Sequence, residues 1–161
     1  MQSVKKTATL NIPAAKVWDA IKDFDSIERF HPMVKSSPLI GSQKQGVGAQ
    51  RHCNFYDGSK VTERITSWQE GRGYSIEVSE ITLMPVKEMH GRLRVDPVSN
   101  GQSEMSFELL FTPKYGPVGW LMAQVMMKPM MRGILNKVVT GLEDHITTGN
   151  IVGENGVLIP A

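Results

Sequence analysis

Cysteine is nearly absent. Cys53 is the only one in 161 residues, which excludes an intramolecular disulfide and a cysteine-built zinc cage. An excess of one charge is missing as well. Eighteen Lys and Arg stand against sixteen Asp and Glu, a net of +2, too even for the clustered positive surface of a nucleic-acid binder. Long apolar runs are also lacking. The most apolar stretch, residues 116–131, carries Lys128 and prolines 117 and 129, and falls short of the about 20 residues that a spanning helix needs. The opening Met1-Gln2-Ser3-Val4-Lys5-Lys6 leads into mixed residues rather than the apolar core of a secretory leader. A cytoplasmic protein is expected. His31, His52, His90 and His145 lack metal-ligand spacing, and no nucleophile elbow, phosphate loop or dinucleotide fingerprint occurs. Neither a metal nor a cofactor is expected.

Methionine is what the chain has in excess, with ten in all. Five of them, Met122, Met126, Met127, Met130 and Met131, crowd one short segment after Trp120 and Leu121. Elsewhere, hydrophobic period orders the chain. Residues 4–12 alternate, with Val4, Ala8, Leu10 and Ile12 on one face, as a half-buried strand does. Pro13 opens a helix whose stripe is Val17, Trp18, Ile21 and Phe24. Asp25 with Glu28 three residues on predicts a second, short helix with a variant capping box, ended by Pro32. Six further strands are predicted at 39–44, 49–55, 60–69, 73–82, 86–96 and 102–112, separated by glycine-containing turns or by Pro85. Short turns between adjacent strands imply an antiparallel meander. After Pro117 the period is helical again, with Met131, Leu135, Val138, Leu142 and Ile146 on one stripe and Gly149 as the cap.

The expected fold is α+β: a seven-stranded antiparallel sheet around a long C-terminal helix, with two short helices after the first strand. That helix must bury its stripe, and the sheet offers the one large apolar surface. A single domain is expected over residues 1–149, with 150–161 as a flexible tail.

This layout resembles the START-like helix-grip (SRPBCC) superfamily, the polyketide cyclase/dehydrase and lipid-transport group. The resemblance rests on Ile12-Pro13-Ala14-Ala15-Lys16-Val17-Trp18, Phe30-His31-Pro32, Gly46-Val47-Gly48-Ala49-Gln50-Arg51, Asp57-Gly58, Val61-Thr62-Glu63-Arg64-Ile65 and Tyr74-Ser75-Ile76. It implies a cavity between sheet and helix that takes lipids, sterols or polyketide-like molecules. Some members catalyse and many carry. The related abscisic-acid receptors place a pocket-lining glutamate in a matching Thr-Glu-Arg segment, which points to Glu63. Their Ser-Gly-Leu-Pro gate is not matched by Tyr56-Asp57-Gly58-Ser59 here.

The residues allow either a filled core or an open cavity. On one face lie Tyr74, Ile76 and Val78; Met89, Leu93 and Val95; and Met105, Phe107, Leu109 and Phe111. Val61, Glu63 and Ile65 alternate on one strand, with Thr62, Arg64, Thr66 and Trp68 on its other face. A three-residue turn Tyr56-Asp57-Gly58 sets Arg51 opposite Glu63 as an inward ion pair; a four-residue turn removes it. Arg51, Glu63 and Tyr74 are therefore the polar candidates. Ile76, Met89, Phe107 and Leu109 are the apolar lining candidates, with Met127 and Met131 as lining from the helix. Glu63 is also the one candidate for a catalytic base in a cyclase or dehydratase. His31 either packs or reaches the cavity mouth. The Met-rich segment beside Pro129 reads as an adjustable lid, as an ordinary core helix, or as a surface for a membrane or partner. The expected partner is a small hydrophobic molecule rather than nucleic acid, and monomer and homodimer both fit.

Overall fold

The computed structural model describes residues 1–82 and 84–161. Strand β1 (Gln2–Leu10) leads into α1 (Ala14–Ile21), a 3-10 turn (Ile27–Arg29), and the short β2 (Val34–Ser36) and β3 (Leu39–Ile40). The meander β4 (Gln50–Phe55), β5 (Lys60–Gln69), β6 (Gly73–Ser79), β7 (Val86–Ser99) and β8 (Gln102–Pro113) follows. Helices α2 (Gly116–Met122) and α3 (Lys128–Thr148) are joined through a π-turn, Ala123–Met127. The sheet runs β1-β8-β7-β6-β5-β4-β2, with β3 pairing beside β2 on β4. All its pairs are antiparallel. The long C-terminal helix crosses its concave face, which is the helix-grip α+β fold.

Alternation explains the faces. Along β8, Met105 and Phe111 are fully buried while Phe107 and Leu109 are partly open. Along α3 the buried side is Met131, Leu135, Val138, Val139 and Leu142. Each such side chain removes about 1.5–3 kcal/mol worth of apolar surface from water. Gly149 closes the helix as expected, at φ 74° with its N–H on the His145 carbonyl at 2.9 Å.

Several local expectations are corrected. The capping box at Asp25 does not form: Ser26 precedes the 3-10 turn, and Glu28 instead accepts a hydrogen bond from the Ser37 hydroxyl. Val34–Ser36 adds a strand that its three residues were too short to announce. Trp68 was expected on the outer face, but a bulge between Ile65 and Ser67 sets it opposite Tyr74 on the inner one. Residues 150–161, expected as a flexible tail, contain a small hairpin of β9 (Ile151–Val152) and β10 (Leu158–Ile159), with Val152 buried.

The Met-rich segment does not break at Pro129. That proline has no N–H to offer the Val125 carbonyl, and the chain passes the gap through the π-turn. Gly119, Ala123, Met127, Met131 and Leu135 recur every four residues and are all buried. On an α-helix a four-residue repeat drifts by roughly 40° per step, and the wider π-turn takes back part of that drift.

Candidate functional site

The inner side of the fold holds two apolar clusters. One gathers Leu10, Trp18, Phe24, Tyr74, Val138 and Leu142; the other gathers Val4, Met89, Phe111, Met127, Met131 and Leu135. Ile76 and Phe107 touch both. Where the clusters meet there is a cavity of about 110 Å³. Its walls are Ile76, Leu93, Phe107 and Leu109 from the sheet, Ile134, Leu135 and Val138 from α3, and Ile27, Phe30 and His31 from the 3-10 turn. Gly91 contributes a bare patch of backbone, because a Cβ there would lie 2.9 Å from Ile76 Cγ1. Arg51, Glu63 and Tyr74 form the inner polar part, and Arg92 and Glu108, paired with each other, also border the cavity.

The Tyr56-Asp57-Gly58 turn is the three-residue form. Gly58 sits at φ 89° and Phe55 N–H donates to the Ser59 carbonyl at 2.8 Å. Cys53 then opposes Val61 and Arg51 opposes Glu63. Arg51 is only 2% exposed. Such a charge costs several kcal/mol unless it is fully paired, and here all three guanidinium nitrogens are used. Nε and Nη2 reach Glu63 Oε2 at 2.7 and 2.6 Å, and Nη1 donates to the Phe24 carbonyl at 2.8 Å. The guanidinium carbon also lies 3.8 Å from the centre of the Phe24 ring. Burial, the largest single influence, lowers the Arg51 pKa, but the Glu63 charge and hydrogen bond together with Cys53 and Tyr74 raise it, and the net shift is upward.

Both guanidinium contacts and the Cys53 thiol, at 3.5 Å, go to Glu63 Oε2. Among the described residues no donor reaches Oε1. The site thus contains an anchored carboxylate with one acceptor atom unused. Burial, then the Glu63 charge, pushes the Cys53 thiol upward, so this cysteine stays a thiol and packs as an apolar residue. The Tyr74 hydroxyl donates to the Ile21 carbonyl at 3.3 Å, and burial pushes its pKa up to about 12.

A run of aromatic rings braces this polar end, and sequence reasoning missed most of it. Phe24 meets Tyr74 edge-on at 5.9 Å, Tyr74 stacks on Trp68 at 5.7 Å, and Trp68 meets Trp18 at 5.0 Å. Glu70 accepts both indole N–H groups, at 3.1 Å from Trp18 and 2.9 Å from Trp68. Only the period-two signal could have hinted at Trp68, and the bulge inverts that signal.

Six of the nine expected site residues meet at the cavity: Arg51, Glu63, Tyr74, Ile76, Phe107 and Leu109. Three do not. Met89, Met127 and Met131 are 5%, 3% and 0% exposed and pack together in the second cluster. They lie under the first half of the long helix, while the cavity lies under its middle, at Ile134–Val138. Among the described residues the lining therefore contains no methionine.

His31 lines the cavity, with Met33 N–H donating to its Nδ1 at 3.2 Å. That contact assigns the proton of the neutral ring to Nε2. Burial, then the Arg51 charge, lowers its pKa to about 3. The unfolded chain takes up this proton near pH 6.5, whereas the folded protein does so only near pH 3. The resulting stability is whole above about pH 6.5 and is lost as pH falls toward 3. Thermal melts from pH 7 to pH 5, above the carboxylate range, should show a falling Tm that His31→Asn flattens. Parallel slopes for the two proteins would disprove this role.

The family described as "Polyketide cyclase / dehydrase and lipid transport" matches residues 1–147. The chain belongs to that family. No curated protein matches it in sequence. Among solved structures it is similar to the protein XoxI from Bacillus cereus, at TM-score 0.76 and 19% identity over 91% of this chain and 96% of that one. It is similar to the di-domain ARO/CYC BexL from the BE-7585A biosynthetic pathway, at TM-score 0.74 and 16% identity, covering 90% of this chain and 47% of that one. Norcoclaurine synthase from Thalictrum flavum, in complex with dopamine and hydroxybenzaldehyde, aligns at TM-score 0.70 and 11% identity, over 91% and 87% of the two chains. These likenesses concern the fold.

Proposed function

We propose that the protein binds one small, mostly apolar molecule in this cavity, oriented by a hydroxyl or amine that donates to Glu63 Oε1. The observation that carries the reading is the unused oxygen of a carboxylate that Arg51 already holds in place. An apolar wall with one placed acceptor is what orients a ligand of this kind. The relatives support the chemistry, since a family for lipid transport and cyclisation handles hydrophobic substrates. At about 110 Å³ the space suits roughly one aromatic ring. A larger ligand requires outward movement of Ile134 or of the Ile27–His31 turn.

Binding is favoured over cyclase or dehydratase chemistry because the other polar side chains at the cavity are already engaged. The Tyr74 proton is committed to Ile21, Glu108 pairs with Arg92, and His31 is neutral with Nδ1 occupied. Calorimetric titration with phenol and toluene tests the reading. Wild type should bind phenol more tightly than toluene, and Glu63→Gln, which exchanges a charged acceptor for a neutral amide, should narrow that preference. Gly91→Val should weaken both ligands at least about tenfold, because its side chain and the displaced Ile76 enter the cavity. Equal binding of phenol and toluene by wild type would remove Glu63 from the reading; unchanged affinity in Gly91→Val would remove the cavity.

A further inference from the structure

Outside the cavity, the strongest unexplained feature is the outer face of α2 and the π-turn. Tyr115, Val118, Trp120, Leu121, Val125 and Met126 are 53–71% exposed there, and Met130 follows at 47%. The inner face of the same segment is well buried at Gly119, Ala123 and Met127, so the apolar outer side is surplus to the core. A monomer rarely leaves large apolar side chains this crowded in water. The charges within the segment itself are of one sign. No Asp or Glu occurs from residue 109 to residue 142, whereas Lys114, Lys128, Arg132 and Lys137 do. Lys114 shares a surface depression with Glu77, Glu80 and Glu88, and Lys137 shares one with Asp144, which leaves Lys128 and Arg132 as the basic groups of the segment that border neither.

We infer that this face docks the protein on an anionic membrane surface, with Trp120, Leu121, Val125 and Met126 entering the interface and the basic side chains meeting the headgroups. Amphipathic helical segments with Trp and Leu on one side and Lys or Arg alongside bind in this way. Trp and Tyr, both present here, favour the headgroup level. Among the described residues no helix is long and apolar enough to cross a membrane, so the segment lies along the surface. The same helix continues into Ile134, Leu135 and Val138 of the cavity wall, which brings the cavity beside the lipid. The docking does not depend on what the cavity holds.

Flotation of the full chain with phosphatidylcholine vesicles, and with vesicles carrying about 30% phosphatidylglycerol, tests the inference. The protein should float with the anionic vesicles at least about tenfold more than with the neutral ones. Its tryptophan emission should shift to the blue on binding, since Trp120 is the exposed indole of the face. Binding should fall steeply in 0.5 M salt. Leu121→Asp combined with Val125→Asp should abolish flotation while leaving the thermal midpoint and phenol binding intact. Absence of flotation with both vesicles, flotation indifferent to lipid charge, or a micromolar dimer that the double variant dissociates would each overturn it. Phenol titration without vesicles separates any failure of the cavity reading from a failure of the docking.

Discussion

Replacing Arg51 with methionine should lower the unfolding free energy by about 3–5 kcal/mol, read as a lower urea midpoint with an unchanged slope. The expected size comes from what the substitution strands rather than from what it removes. Glu63 would lose its partner with its side chain only 12% exposed, and the Phe24 carbonyl would lose its donor. A methionine fills similar volume, so a cavity contributes little. Pairing Arg51→Met with Glu63→Leu removes both charges and should recover most of the loss, as it does when a buried ion pair is exchanged for apolar residues. A single variant within about 1 kcal/mol of wild type would mean that water reaches the pair, and the site would need to be redrawn as an exposed one.

The second large effect is expected at a glycine. Gly141 lies on the side of α3 that packs against the 3-10 turn, and a Cβ there would stand 2.1 Å from the Phe30 carbonyl oxygen. Backbone cannot swing aside as a side-chain end can, so helix and turn must separate. Gly141→Ala should therefore destabilise by about 1–3 kcal/mol. Ordinary helix propensity argues in the opposite direction, since alanine is favoured over glycine by about 1 kcal/mol within a helix. Gly133 on the same helix supplies the control. Nothing lies within 4 Å of a Cβ built there, so Gly133→Ala should stabilise. Opposite signs for the two substitutions, measured by chemical denaturation, are the expected result; stabilisation by both would show that the turn is not packed this closely. Because Phe30 and His31 of that turn line the cavity, Gly141→Ala should also weaken phenol binding.

Much of this site was legible in the sequence, for local reasons. The sequence leaves the turn at Tyr56–Gly58 open between three and four residues; once the structure fixes the three-residue form, hairpin register follows and Arg51 faces Glu63. Strict alternation placed Ile76, Phe107 and Leu109 on the inner face, and helical spacing placed Leu135 and Val138 on the buried stripe of α3. What escaped depends on where one element crosses another. Met89 shares its face with Leu93, yet only Leu93 borders the cavity, because the helix covers the two ends of the sheet differently. Trp68 escaped because one extra residue at a bulge inverts every face assignment beyond it. Gly91 and Gly141 escaped for a further reason. A missing side chain is informative only when its neighbour in space is known, and both neighbours, Ile76 and Phe30, are distant in sequence.

The most direct test of the cavity reading is a methyl-resolved NMR titration of the intact protein with phenol. Shifts should concentrate on the methyl groups of Ile76, Leu93, Leu109, Ile134, Leu135 and Val138, and should saturate together. Val118, Leu121 and Val125 on the outer face of α2 should stay still. Saturable shifts on that outer face with a silent cavity, or no saturable shifts on the cavity methyls, would contradict a ligand site between the sheet and α3.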